Sequence, residues 1–144
     1  MKILVSACLL GQNCKYSGGN NRCEAVLRYC EGHDVIPVCP EQLGGLPTPR
    51  VPAEIVDGTV TTKNGENVDA AFRLGAEKAL RIALDAGADF AILQPRSPSC
   101  GVSRVYDGSF TGTLRPGRGV FAQLLMEHHI PAYNADEPET LPDL

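Results

Sequence analysis

Six cysteines punctuate a chain of 144 residues, and three of them stand where their thiols could do chemistry. Cys8 closes the apolar run ILVSAC, Cys39 closes VIPVC, and Cys100 follows a serine-proline-serine turn in RSPSCG. Glu41 lies two residues beyond Cys39, and Ser97 and Ser99 precede Cys100. Thiolates gathered together repel one another, so a convergent set needs a cation, protons or a disulfide. Soft sulfur donors suit zinc, copper(I) or an iron–sulfur cluster. Four protein ligands make a closed structural site, whereas three leave one position open for a substrate to bind and be polarised. A carboxylate beside that position is placed for acid–base work. The plainer reading of any one cysteine is a small buried hydrophobe. That reading is weakest for Cys100, because SPSCG is a poor core segment. Cys14 reads as a fourth ligand, a thiol behind the ligands or packing. Cys23 and Cys30, seven residues apart, read as buried packing residues.

The elements that must position these residues follow from pattern. Residues 3–8 form a short apolar run, read as a buried first strand. Residues 22–31 make a helix with Ala25, Val26 and Tyr29 on one side. Residues 35–39 read as a second strand, against which Pro37 counts, since proline cannot donate to a sheet ladder and prefers edges. The segment 40–54, PEQLGGLPTPRVPAE, carries four prolines and two glycines and is expected to be a stiff loop without regular helix. Asp57-Gly58 marks a hairpin over 54–62, and Asn64-Gly65 a further turn. From Val68 to Ala86, Val68, Phe72, Gly75, Ala79 and Ala83 recur at helical spacing, with Glu77 and Arg81 as an i, i+4 pair and Gly87 as terminator. Residues 90–93, FAIL, are a third strand, and 94–119 read as a long loop. A helix over 120–129 and a strand over 130–133 follow. The tail DEPETLPDL is acidic and reads as surface.

Strand–helix alternation predicts an α/β fold: one three-layer, Rossmann-like domain over residues 1–144 with a mostly parallel sheet of about four strands. In such sheets ligands bind beyond the carboxyl ends of the strands. Cys8, Cys39 and Cys100 follow three successive strands, so parallel pairing brings all three to one edge.

Composition narrows the classes. Lys plus Arg total 13 against 17 Asp plus Glu, a net charge of −4, which argues against a broad grip on duplex nucleic acid and leaves a local RNA contact open without favouring it. The N-terminal apolar run is too short for a signal peptide, and no stretch approaches the roughly 20 apolar residues that span a bilayer. A cytoplasmic protein without membrane partners is expected, as a monomer or small homo-oligomer. There, cysteines point to metal or catalysis rather than to disulfides.

Together the motifs SACLLGxxCKY, PVCPExxGGLPTPRxPxE and RSPSCG, followed by YDGSFTG and GRGVFAQLL, resemble the DUF523 family, which includes the thiouracil desulfidases. The match runs to about Leu125 in order and spacing, in the manner of the short stand-alone members. The resemblance implies a [4Fe–4S] cluster held by Cys8, Cys39 and Cys100. It implies removal of sulfur from a thiolated pyrimidine or thionucleotide, with Glu41 as acid/base and a serine assisting, assigned to Ser97 over Ser99. Ser17 and Gln94 depart from the family's commoner aspartate and lysine, and bear on substrate preference.

Alternatives come from other classes: a zinc protein using Cys14 as well, or a cluster- or sulfur-carrying protein without desulfidase activity. A thiol redox protein would need a CxxC, and the chain has none. Arg50 and Glu54 read as a structural ion pair, or as groups that orient the Glu41 loop or touch substrate. The glycine-bearing segments 116–119 and 16–21 each precede a helix and are weak anion-site candidates. The three histidines lie outside these motifs.

Overall fold

A computed structural model describes residues 1–144. Four parallel strands form the central sheet: β1 (Lys2–Ser6), β2 (Asp34–Val38), β5 (Phe90–Leu93) and β8 (Ala132–Asn134), in the order β2-β1-β5-β8. Two small antiparallel hairpins stand outside it, β3 (Ala53–Val56) with β4 (Thr59–Thr62), and β6 (Arg104–Tyr106) with β7 (Leu114–Pro116). The helices are α1 (Glu24–Tyr29), α2 (Pro40–Leu43), α3 (Asp69–Ala86) and α4 (Val120–Glu127). No helix is long and apolar enough to cross a membrane.

Side chains alternate across a strand, and the two inner strands are apolar on both faces. Leu4, Ala91 and Leu93 pack on one side with residues of α3 and α4 such as Phe72, Ala79 and Phe121. Ile3, Val5, Phe90 and Ile92 pack on the other with Val26 of α1, Leu9 and Cys30. These are the three layers. Cys23 packs against the second cluster, so the cysteines at the ends of α1 are packing residues. Along α3, Phe72, Gly75, Ala76, Ala79, Leu80 and Ala83 are buried as one stripe, and Gly87 closes the helix with φ 69°. The ion pair on its outer face is Arg73 to Asp69, at 3.2 Å, rather than Glu77 to Arg81.

Several expectations need correction. The segment after Cys39 is not all loop: Pro40 starts a one-turn helix, where its fixed φ and missing N–H do no harm. The stretch 94–119 contains the β6–β7 hairpin, whose three-residue strands are too short to show a period. The last strand begins at Ala132 rather than Ile130, because Ile130 turns back into the core below α4. Pro37 does sit in an edge strand, paired with Val5.

The one-turn α2 carries Glu41 and is seated on α3 by two reciprocal glycine contacts. A Cβ on Gly75 would lie 1.8 Å from the Pro40 carbonyl oxygen, and one on Gly44 would lie 2.0 Å from the Ala71 carbonyl oxygen. Both neighbours are backbone, so the helices can only part. Gly75→Ala is expected to cost about 3 kcal/mol, the upper range for overpacking, and to lower Tm by roughly 10 °C. Glu77→Ala, on the exposed face of α3, should leave Tm within about 2 °C in the same thermal melt.

Candidate functional site

The order of the sheet reverses between β1 and β5, the place where α/β sheets open a crevice. Ser6 ties the two strands there, its Oγ accepting the Gln94 N–H at 3.0 Å. Beyond this edge lies a cavity of about 520 Å³. Cys8 enters it from the 3₁₀ turn after β1, Cys39 from the N-cap of α2 after β2, and Cys100 from the turn after β5. Cys14, Glu41 and Ser97 line the same cavity. The structure thus brings Cys8, Cys14, Cys39, Cys100, Glu41 and Ser97 to one cavity, and leaves Ser99 outside its wall. All six cysteines are free thiols.

The thiols do not share one environment. Cys8 is lowered to about 7, first by a hydrogen bond from the Cys14 thiol and further by Asn21, whose Nδ2 lies 3.6 Å from Sγ. Cys39 is likewise lowered to about 7, again first by Cys14. Lying against both sulfurs pushes the Cys14 thiol far up, so it stays protonated, and its single S–H serves one of them at a time. Cys100 is pushed up by burial, opposed by a hydrogen bond with Ser6. A thiol that donates to its neighbours stabilises their thiolates as a cation would, without adding charge.

Glu41 is 20% exposed and faces Arg50, whose side chain is 7% exposed. Burial raises the Glu41 carboxyl above the usual carboxylate range, and the Arg50 guanidinium opposes the rise. Arg50 reaches Glu41 through Nε and Nη2, each at 3.4 Å. Its other contacts are the Cys14 carbonyl at 3.0 Å, the Pro47 carbonyl at 3.2 Å and Thr48 Oγ1 at 3.1 Å. One planar cation therefore fixes the proline loop, the Cys14 loop and the Glu41 carboxylate together. The Arg50–Glu54 pair is not formed. Glu54 instead accepts the backbone N–H groups of Gly108 and Phe110.

Ser97 has two roles in one atom. Its Oγ accepts the N–H of Ser99 at 3.1 Å and of Cys100 at 3.0 Å, which shapes the turn that presents Cys100. Its own O–H is left to donate. Ser99 is 1% exposed, its hydroxyl has no partner, and it is not part of the cavity wall, which favours Ser97. The expected anion site at 116–119 is used up internally. The N–H groups of Gly119, Val120, Phe121 and Ala122 go to the carbonyls of Gly101, Pro98 and Ser99. At 16–21, the Gly18 N–H closes a turn onto Lys15 and the Asn21 N–H bonds the Cys8 carbonyl. The 116–119 segment therefore presents no free ring of amides.

Three soft thiols around a cavity of this size fit an iron–sulfur cluster. No group of three or more His, Cys, Asp or Glu side chains is close enough to share a single metal ion. A cluster spreads its ligands over several atoms and suits thiols that face one cavity without touching one point. Sequence reasoning left the role of Cys14 open, and among its readings of Arg50 was orienting the Glu41 loop, which the structure forms through a direct Arg50–Glu41 pair that the sequence did not single out. The six-residue spacing of Cys8 and Cys14 was a usable signal for the first. An ion pair nine residues apart across a proline loop has no such signal.

Comparison with known proteins gives the following. The 2-thiouracil desulfurase family model matches residues 3–137. The chain is 39% identical over 135 residues to the uncharacterized protein YbbK of Bacillus subtilis (strain 168), covering 87% of this chain and 89% of YbbK. Among solved structures it is similar to the [4Fe-4S]-dependent thiouracil desulfidase TudS, with 44% identity and a TM-score of 0.88, covering 96% of this chain and 93% of that one.

Removing the buried guanidinium would strand a carboxylate and two carbonyls. Arg50→Leu is expected to destabilise the metal-free protein by about 3 kcal/mol, seen as a lower midpoint in urea unfolding. Arg50→Lys should recover less than half of this, since one ammonium does not span the same partners.

Proposed function

The chain belongs to the 2-thiouracil desulfurase family, and from that premise we propose that it removes sulfur from a thiolated pyrimidine at a [4Fe–4S] cluster, giving the oxo-pyrimidine and sulfide. The observation that carries this reading is the meeting of Cys8, Cys39 and Cys100 with Glu41 and Ser97 in one cavity. Cys8, Cys39 and Cys100 would hold the cluster. When bound, it would supply an iron without a protein ligand, a Lewis acid toward the thiocarbonyl sulfur.

The chain's own groups account for the rest. Glu41, ionised, takes a proton from water, and Arg50 keeps its carboxylate pointed into the cavity. The water oxygen forms a bond to the ring carbon, the carbon–sulfur bond breaks, and sulfur leaves as hydrogen sulfide with the two protons that water brought. Carbon keeps its oxidation state, so the reaction is hydrolytic and needs no electron donor. Ser97 donates a hydrogen bond from its hydroxyl to the substrate, with no net proton transfer, while its oxygen stays fixed by two amides. Cys14 remains a thiol beside Cys8 and Cys39 and stabilises their charge. Thiouracil, 4-thiouridine and thio-UMP all fit this chemistry. Lys15 and Lys63 line the cavity and favour the phosphate-bearing member. Six free thiols accord with a cytoplasmic setting.

Anaerobically reconstituted protein should be brown, carry iron and acid-labile sulfide, and release sulfide from one of these compounds. Glu41→Ala is expected to lower kcat by about 100-fold or more with the cluster retained. Ala in place of Cys8, Cys39 or Cys100 should lower iron content itself. Full turnover in Glu41→Ala would remove the assigned base, and a zinc-filled, inactive protein would remove the reading.

A further inference from the structure

Four residues other than glycine have positive φ: Asp57, Arg96, Phe110 and His129. Two have ordinary reasons. Asp57 is in the two-residue turn of the β3–β4 hairpin, and His129 follows the last turn of α4. Arg96 and Phe110 instead line the cavity. Arg96 is held there by Asp136 at 3.1 Å. Phe110, at φ 58°, is a bulky residue in a conformation that costs energy and that persists only where surroundings impose it.

What imposes it is visible. Phe110 lies in the loop between β6 and β7, closed by the Asp107 N–H on the Thr113 carbonyl at 2.9 Å. Oε1 of Glu54, from the other hairpin, accepts the N–H of Gly108 at 3.0 Å and of Phe110 at 3.2 Å. These are charge-assisted bonds across more than fifty residues of chain, stronger than neutral ones. Gly108 lets the loop lie flat on β3: a Cβ there would sit 2.7 Å from the Ile55 carbonyl oxygen. The strain gains nothing for the core. Phe72, Phe90 and Phe121 are each at most 2% exposed, whereas Phe110 is half-buried and belongs to neither hydrophobic cluster.

We propose that Phe110 is the face on which the substrate's flat ring stacks, and that Glu54 is a positioning residue that holds the loop so as to present it. This rests on the pyrimidine desulfidase reading and adds to it a residue that selects planar heteroaromatic substrates. The hairpins thus contribute the ring-binding wall, and the sheet edge contributes the thiols. Tyr106 lines the same cavity from regular strand and is the natural comparison.

The test measures KM and kcat for thiouracil with the reconstituted protein, and binding of uracil, which has no sulfur to lose, by equilibrium dialysis. Phe110→Leu should raise KM and the uracil Kd together by about tenfold, the scale of a base–aromatic stack, with the loss falling on KM. Phe110→Tyr keeps a ring and should stay within about threefold. Glu54→Leu should match Phe110→Leu, the double variant should be no worse than either, and Glu54→Gln, whose oxygen still accepts, should recover most of the loss. Hydrogen exchange at Gly108 and Phe110 should quicken in Glu54→Leu. Phe110→Gly should melt at or above the parent, because glycine relieves the strained φ. Unchanged uracil binding in Phe110→Leu, a larger loss in Tyr106→Leu, or a Tm for Phe110→Gly lower by roughly 10 °C would overturn the assignment. If the parent binds uracil through Phe110 and releases no sulfide, the desulfidase reading fails and the ring contact stands.

Discussion

Bringing three sulfur atoms to one edge of a sheet is an electrostatic problem before it is a catalytic one. Each thiolate dislikes its neighbours, and burial penalises its charge. The surroundings answer both. The Asn21 amide donates to the Cys8 sulfur, the protonated Cys14 thiol lies beside Cys8 and Cys39, and Ser6 lowers Cys100 against the effect of burial while joining β1 to β5. Arg50 supplies the only buried guanidinium near the carboxylate and anchors the loop that contains Cys14. The site is therefore one connected set of donors around a group of acceptors. The strands decide where that set is assembled.

Rigid seating of the short elements follows from the same need. Cys39 and Glu41 belong to a helix of one turn, which has no stability of its own. It is defined by contact: backbone against backbone with α3 at Gly44 and Gly75. Cys100 has no regular element beneath it either. Its turn is formed by Ser97 and fastened to the first amides of α4, so that helix is a foundation for the loop and not a docking point for an anion.

Much of this was legible in the residues. The unbroken apolar runs at β1 and β5 and the helical period of the small-residue stripe of α3 are plain, and parallel order then carries Cys8, Cys39 and Cys100 to one side. What was hidden depends on contacts without a period. The strands β6 and β7 are three residues long, α2 is one turn begun by proline, and Arg50 finds Glu41 only because a proline-rich loop folds back. The glycines at 116–119 looked like an anion cradle because sequence shows which amides a helix start offers, not which carbonyls already occupy them.

Pro37 has a consequence outside the cavity. Strand β2 is an outer strand, and a proline at its fourth residue turns a nitrogen without a proton toward open solvent. A second chain approaching that margin would meet a gap in the ladder and could not extend the sheet by continuous pairing.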